Sequence, residues 1–396
     1  MKRKILFLVR NPADVPSFAD LRLEWEALTA QNTDNALQAL LRDPIEAVVV
    51  DARFSGEPEL GFLATVAARA PQVTRLMLCD LADMKTIKND GTVQQFLVRP
   101  TTVEATVSAA LRARLLSSWM ADPALKQLFG QMRKLPSVPT VYLQLLELVK
   151  SPDTDMDEIG RTIAQEPGLT VRVLQMANSP FFGLGRIVSN PSEAASYIGV
   201  ERTKSLVLMA QAFANGAEAQ QAGLLVDKLW RHSLATGDFA RRIARRQIRE
   251  ERIAEESYTG GLLHDVGKLM LATNLPKEYG TVLQRCQAEG RTLDAVEREV
   301  FGATHAELGA CVLTVWGLPS GVVESIAYHH QPDKNPSKMF SPTVAVHAAN
   351  AIAHEFHVEP DEPAIVRLDK YYLDDLGLAK HADAWREACR EAAVAA

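Results

Sequence analysis

Tyr258-Thr-Gly-Gly-Leu-Leu-His264-Asp265-Val-Gly-Lys268 is the stretch that decides how the larger part of this chain folds and which chemistry it can hold. An apolar run leads into an adjacent imidazole and carboxylate, then Gly267 and Lys268. Burying either polar group is costly unless it is paired or ligated, so the pair marks a site or a closed hydrogen-bonded unit. Neighbouring imidazole and carboxylate suit a divalent metal, and a lysine one turn on suits a phosphate oxygen. Other histidines frame the pair. His232 precedes it in Trp230-Arg-His232-Ser, and His305, His329 and His330 follow in Thr304-His305-Ala-Glu and Tyr328-His329-His330-Gln-Pro332.

The setting is an ordinary globular one. With 396 residues the chain has room for two or three domains, and 47% hydrophobic and 23% charged residues fit that class. A formal charge of −6 argues against a nucleic-acid binder, which would show a basic face. The four cysteines, Cys79, Cys286, Cys311 and Cys389, form no CxxC pair, which fits reduced thiols in a cytoplasm. The basic and apolar start, Met1 to Val9, stops at Arg10 and is too short for a signal peptide. No stretch approaches the ~20 apolar residues of a membrane span. The expectation is a cytoplasmic protein with no membrane partner.

Upstream, short apolar runs alternate with helical patterns. Lys4–Val9, Trp25–Thr29, Glu46–Val50, Arg75–Leu78 and Gln95–Val98 read as five strands, the second the weakest; Thr33–Leu41, Leu60–Ala70 and Thr101–Trp119 read as helices. That alternation predicts an α/β, flavodoxin-like unit with a parallel sheet, whose functional residues lie at the carboxyl ends of the strands. Those ends carry Arg10-Asn11, Asp51, Cys79 and Arg99-Pro100. The pattern resembles the receiver domain of two-component response regulators. The resemblance makes Asp51 the phosphoacceptor position. It also exposes departures: Arg10 and Asn11 replace the acidic pair that holds magnesium, Cys79 replaces a hydroxyl residue, and Arg99 replaces lysine. With one carboxylate and two cations, Asp51 can be neutralised by Arg10 or Arg99 without metal, so the expected unit is a pseudo-receiver that is not phosphorylated.

From Thr101 the strand signals stop, Ala121-Asp-Pro123 breaks the helix that follows, and helical periodicity continues from about residue 124 to 357. Leu135-Pro-Ser-Val-Pro139, Pro167-Gly-Leu-Thr-Val-Arg-Val-Leu-Gln-Met-Ala-Asn178-Ser-Pro-Phe-Phe-Gly183, Gly261-Leu-Leu-His264-Asp265, Trp316-Gly-Leu-Pro319 and His329-His330-Gln-Pro332 together resemble the HDOD domain, the HD-related output domain. Expected boundaries are 1–120 for the receiver-like unit with its extended last helix, 121–357 for an all-helical HDOD domain, and 358–396 for a helical tail. Phe181 and Phe182 read as core anchors. The Asp238–Glu251 arginine-rich segment reads as a solvated helix face with local ion pairs.

The resemblance implies a ligand set of His232, His264, Asp265, His305, His329 and His330 for iron, manganese or zinc, with Lys268 contacting phosphate if the site is hydrolytic. It also implies an aspartate on a later helix where this chain has Asn350, a neutral and poor ligand. His347 is close enough in sequence to substitute. The contrary reading is that these side chains survive as a buried hydrogen-bonded unit. Two functions follow. One is a non-catalytic signal-transduction protein acting on a sensor kinase, a diguanylate cyclase or a transcription regulator; the other is a metal-dependent phosphohydrolase of a nucleotide or phosphoester. Asn350 favours the first. A homodimer and a nucleotide ligand stay open.

Overall fold

In the computed structural model the described residues are 2–18, 25–53, 59–80, 92–99, 101–132, 140–149, 155–178, 187–213, 216–335, 337–356 and 366–395. The chain divides into two compact units, 1–121 and 122–396. The first is α/β and the second helical, as the sequence pattern predicts.

In the first unit β1 (Arg3–Leu8), β2 (Trp25–Ala30), β3 (Ile45–Asp51), β4 (Thr74–Cys79) and β5 (Gln95–Val98) form one sheet in the order β2-β1-β3-β4-β5. Every pairing is parallel. The central strands β1, β3 and β4 carry buried apolar runs because both faces of the sheet are covered. Alternate residues divide between two cores. Ile5, Phe7, Val49 and Leu78 pack with Val103 and Val107 of α3 (Val103–Met120). Leu6, Leu8, Val48 and Val50 pack with Ala36 of α1 (Thr33–Arg42) and Phe62 and Leu63 of α2 (Glu59–Arg69). β2 is a full strand rather than a weak one, pairing with β1 along all six residues. Between β1 and β2 the described chain forms a 3-10 turn at Pro12–Asp14, capped by Asn11.

The second unit begins with α4 (Pro123–Gln131), α5 (Thr140–Leu148), α6 (Met156–Ala164), α7 (Pro167–Ala177), α8 (Pro191–Ile198), α9 (Val200–Ala212) and α10 (Gly216–Gln221). Phe181, Phe182 and Pro100 lie outside the described residues. Then come α11 (Val226–Gln247), α12 (Glu251–Leu263), α13 (Val266–Asn274), α14 (Pro276–Glu289), α15 (Leu293–Phe301), α16 (His305–Val315), α17 (Ser320–Ala327) and α18 (Pro342–Phe356). α18 is buried from Pro342 to Ala353, and its many alanines let α11 and α12 approach closely. The last helices, α19 (Lys370–Asp375) and α20 (Ala382–Ala395), close this core. Trp385, Cys389, Tyr372 and Leu373 pack with Phe239 and Ile243 of α11 and Ile352 of α18. The arginines of α11 pair locally, Arg242 with Asp238 at 2.6 Å, Arg241 with Glu255 at 2.7 Å, and Arg245 with Glu251. Among the described residues no helix is long and apolar enough to cross a membrane.

Candidate metal centre

The His264-Asp265 pair is the junction between α12 and α13. Helix α12 ends at Leu263, His264 continues in helical geometry, and Asp265 starts α13. Helix ends leave carbonyl oxygens without intrahelical partners. Here an imidazole takes one: His264 Nδ1 donates to Gly261 O at 2.7 Å. The same device recurs at the end of α17, where His329 Nδ1 donates to Ile326 O at 2.7 Å. A carbonyl can only accept, so both rings carry a proton on Nδ1, which makes Nε2 the nitrogen that can ligate. His305 opens α16, and its Nδ1 faces Glu297 Oε2 at 2.6 Å.

Three Nε2 atoms therefore converge on one carboxylate. His264 Nε2 is 3.3 Å from Asp265 Oδ2, while His305 Nε2 and His329 Nε2 are 3.2 and 3.7 Å from Oδ1. When deprotonated at Nε2 such rings turn lone pairs toward the carboxylate, a repulsion that a cation between them would relieve. Asp265 Oδ1 and His329 Nε2 are buried and make no hydrogen bond among the described residues. Two donor groups share Asp265: Asp265, His305, His329 and His330 on one side, and His232, His264 and Asp265 on the other. His330 Nε2 stands 3.2 Å from His305 Nε2, and His232 Nε2 stands 3.2 Å from His264 Nε2. Imidazole-rich, carboxylate-bridged donors suit zinc, iron or manganese, so these residues fit a divalent metal. A bound dication there would supply Lewis acidity and lower the pKa of water in contact with it.

Electrostatics agree. Burial and the neighbouring imidazoles hold His232, His329 and His330 well below the ordinary histidine range, neutral and ready to ligate. Burial opposes the ionised form of Asp265, but His264 and Lys268 outweigh it and hold the carboxyl well below its usual value. Burial also opposes a charge on His305, yet Glu297 and Asp265 push it up to about 9. Without metal, a proton on His305 is the cation that the site can supply for itself; metal binding would displace it.

The close approach depends on glycine. A Cβ on Gly267 would lie 1.9 Å from His305 O, and one on Gly261 would lie 2.7 Å from Thr236 O. Gly267 lets α13 meet the start of α16, and Gly261 lets α12 meet α11, which carries His232.

All six expected ligands come together. Asn350 joins them, with Oδ1 3.0 Å from His232 Nε2. Lys268 Nζ donates to Asp265 Oδ2 at 2.6 Å. His347 is not a substitute ligand: its Nδ1 donates to His329 O at 2.8 Å and its Nε2 accepts from Asp369 N at 2.9 Å. Two residues escape a reading of the sequence. Glu297 is fully buried against His305, and the His354 ring lies 4.6 Å from that of His232. His354 follows Asn350 by one helical turn, a spacing that could have marked it.

In the first unit, Asp51 is buried at the end of β3. Arg99 Nη1 donates to it at 2.8 Å and Arg53 N at 2.7 Å, while Arg99 Nε reaches Asp80 at 3.1 Å. Arg53 also pairs with Asp14 at 2.8 Å. Arg10 is exposed, and the neutralising role expected of it falls to Arg99 and Arg53. Arg53 lies in the turn after β3 and so folds back onto Asp51. Cys79 is buried.

Residues 135–332 match the sequence profile of the HDOD domain. An uncharacterized protein of Treponema pallidum is 28% identical over 208 residues, which cover 52% of this chain and 39% of that protein. The hydrogenase transcriptional regulatory protein HoxA of Cupriavidus necator is 25% identical over 171 residues, 39% of this chain and 35% of HoxA. The chain thus spans well under half the length of these curated relatives. A crystal structure of an HDOD domain protein of unknown function from Geobacter sulfurreducens shares the fold, with a TM-score of 0.54 at 23% identity, covering 70% of this chain and 94% of that one.

Proposed function

The chain belongs to the HDOD family, and from that premise we propose that it is a signal-transduction protein that works through protein contacts and holds a divalent metal without turning over substrate. One observation carries the non-catalytic part. His264, Asp265, His305 and His329 are each at most 2% exposed, so most of the donor set faces inward and offers little surface to a phosphoester. Asn350 supports the same reading, because a neutral amide stands against His232 where an anionic ligand would strengthen the site. Lys268 is committed to Asp265. The role proposed for the metal is to lock the helix junctions α12–α13 and α17–α18 into one arrangement that a partner reads.

We read the first unit as a receiver-like domain fixed in one state. The buried pairing of Asp51 with Arg99 and Arg53 occupies the oxygens that a phosphoryl group would need. Partners suited to such a protein are a sensor kinase, a diguanylate cyclase or a transcription regulator; the name of the HoxA relative fits the last of these.

A phosphohydrolase is the second reading, favoured by the sharing of Asp265 between two donor groups, since paired metals can clamp both oxygens of a displacement. Metal analysis and a phosphodiesterase screen separate the two. Protein purified without chelator is expected to carry iron, manganese or zinc that the His264→Ala/Asp265→Ala variant lacks, and to leave bis(p-nitrophenyl) phosphate and cyclic dinucleotides intact. Hydrolysis abolished in that variant would establish the second reading; equal trace metal in both proteins would refute a metal centre.

A further inference from the structure

Glu297 is the most deeply buried acid beside the cluster. It lies on α15 at 0% exposure. Its Oε2 accepts from His305 twice, from Nδ1 at 2.6 Å and from the backbone N at 2.8 Å. Its Oε1 and the buried Tyr279 Oη of α14 make no well-aligned hydrogen bond among the described residues, although the Tyr279 hydroxyl interacts with Glu297. Burial and the neighbouring Glu297 charge push the Tyr279 phenol well above its ordinary range, so it stays neutral.

A buried carboxylate is expensive unless donors or positive charge adjoin it. Helix capping does not account for it. The start of α16 already has a capping box, with Thr304 accepting from Glu307 N and Glu307 accepting from Thr304 N at 2.9 Å. A neutral glutamine would serve the one remaining N–H at lower cost. Its two contacts to His305 give a better reason. A carboxylate on the far nitrogen of a ligating histidine fixes the ring and raises its basicity.

We propose that Glu297 is a positioning residue that holds His305 with Nε2 toward the metal and makes that ring a stronger donor. This rests on the metal reading above. It acts through His305 alone, and on the three-histidine side of Asp265 rather than the His232 side.

The test is a cobalt(II) titration of the full-length protein, followed by absorbance, for wild type, E297Q, H305A, H232A, E297Q/H305A and E297Q/H232A. E297Q is expected to weaken cobalt binding by about 10- to 100-fold. In the H305A background E297Q should cause no further loss, because its route is gone; in the H232A background the loss should persist. A role in packing alone would lower both backgrounds alike. Folded E297Q that binds cobalt like wild type, or that weakens H305A and H232A equally, overturns the proposal while leaving the metal reading intact. Wild type that binds no more cobalt than His264→Ala/Asp265→Ala overturns both. Should E297Q fail to fold, zinc-loaded wild type decides the matter by imidazole 15N shifts. A protonated Nδ1 on His305 with Nε2 on the metal supports the proposal, and the reverse assignment refutes it.

Discussion

Gly267→Ala puts the close packing of the centre to its hardest trial. The added methyl would stand 1.9 Å from His305 O and 2.7 and 2.9 Å from the C and Cα of the same residue. Ordinary carbon–oxygen contacts lie at ~3.3 Å, so α13 and α16 would have to part by roughly 1.4 Å. The obstruction is main chain, and no rotamer can relieve it. Overpacking of this kind costs about 3 kcal/mol. The same movement acts on the site, since Asp265 is two residues before Gly267 and His305 carries the opposing carbonyl. Their 3.2 Å approach would open well past 4 Å. An ion with bonds of ~2.1 Å cannot span donors more than ~4.2 Å apart, so metal binding should fall with stability. Urea unfolding of the metal-free protein and cobalt titration measure the two effects. Gly130→Ala is the control, because its Cβ meets nothing within 4 Å and α4 should gain about 0.5–1 kcal/mol. If G267A unfolded within ~0.5 kcal/mol of wild type and bound metal normally, the helices would be looser than the geometry states and the argument would fail.

Other perturbations reach different parts of the molecule. Asn350→Asp places an anion 3.0 Å from His232 Nε2 and should tighten metal binding by ~10-fold or more in a chelator competition; unchanged affinity would remove Asn350 from the centre. Acetyl phosphate with magnesium should leave Asp51 unlabelled, and labelling that disappears in Asp51→Asn would refute the fixed receiver-like state. Arg99→Ala strands the buried Asp51 charge and should cost about 3 kcal/mol in urea unfolding, whereas a loss within error would mean that Arg53 alone suffices. Burial beside Glu256, itself paired with Arg252, raises the Glu324 carboxyl to about 7 despite a bond from Asn335. The folded state then binds the extra proton, so this contribution is full below about pH 4.5 and is lost as pH rises through 7. Glu324→Gln should flatten that slope and stabilise the protein at pH 8, and a parallel pH profile in thermal melts would contradict the assignment.

Much of this was legible in the residues. The runs Ile5–Val9 and Ala47–Val50 could only be strands covered on both faces, and helical periodicity after Pro123 left no room for another sheet. The histidines were legible because His beside Asp in an apolar stretch must be either ligated or hydrogen-bonded. What stayed hidden depends on contacts distant in the chain. Glu297 sits in Glu-Arg-Glu, a sequence that reads as a solvated helix face; only the docking of α15 on the start of α16 buries it. His347 looked like a spare ligand because spacing cannot tell which of two ring nitrogens is already engaged. Arg53 was passed over for Arg10, since only the turn after β3 decides which guanidinium folds back onto Asp51.

The His347 ring has one more implication. It hands a hydrogen bond from the C-terminal segment to the backbone of a histidine in the cluster, and it can do so in one tautomer only. The amide proton of Asp369 is thereby a built-in gauge. Its exchange with deuterated solvent requires the terminal helices to lift away from the imidazole, so its protection factor reports how firmly the end of the chain is clamped to the centre. Metal that steadies His329 should slow that exchange even though Asp369 never touches the ion.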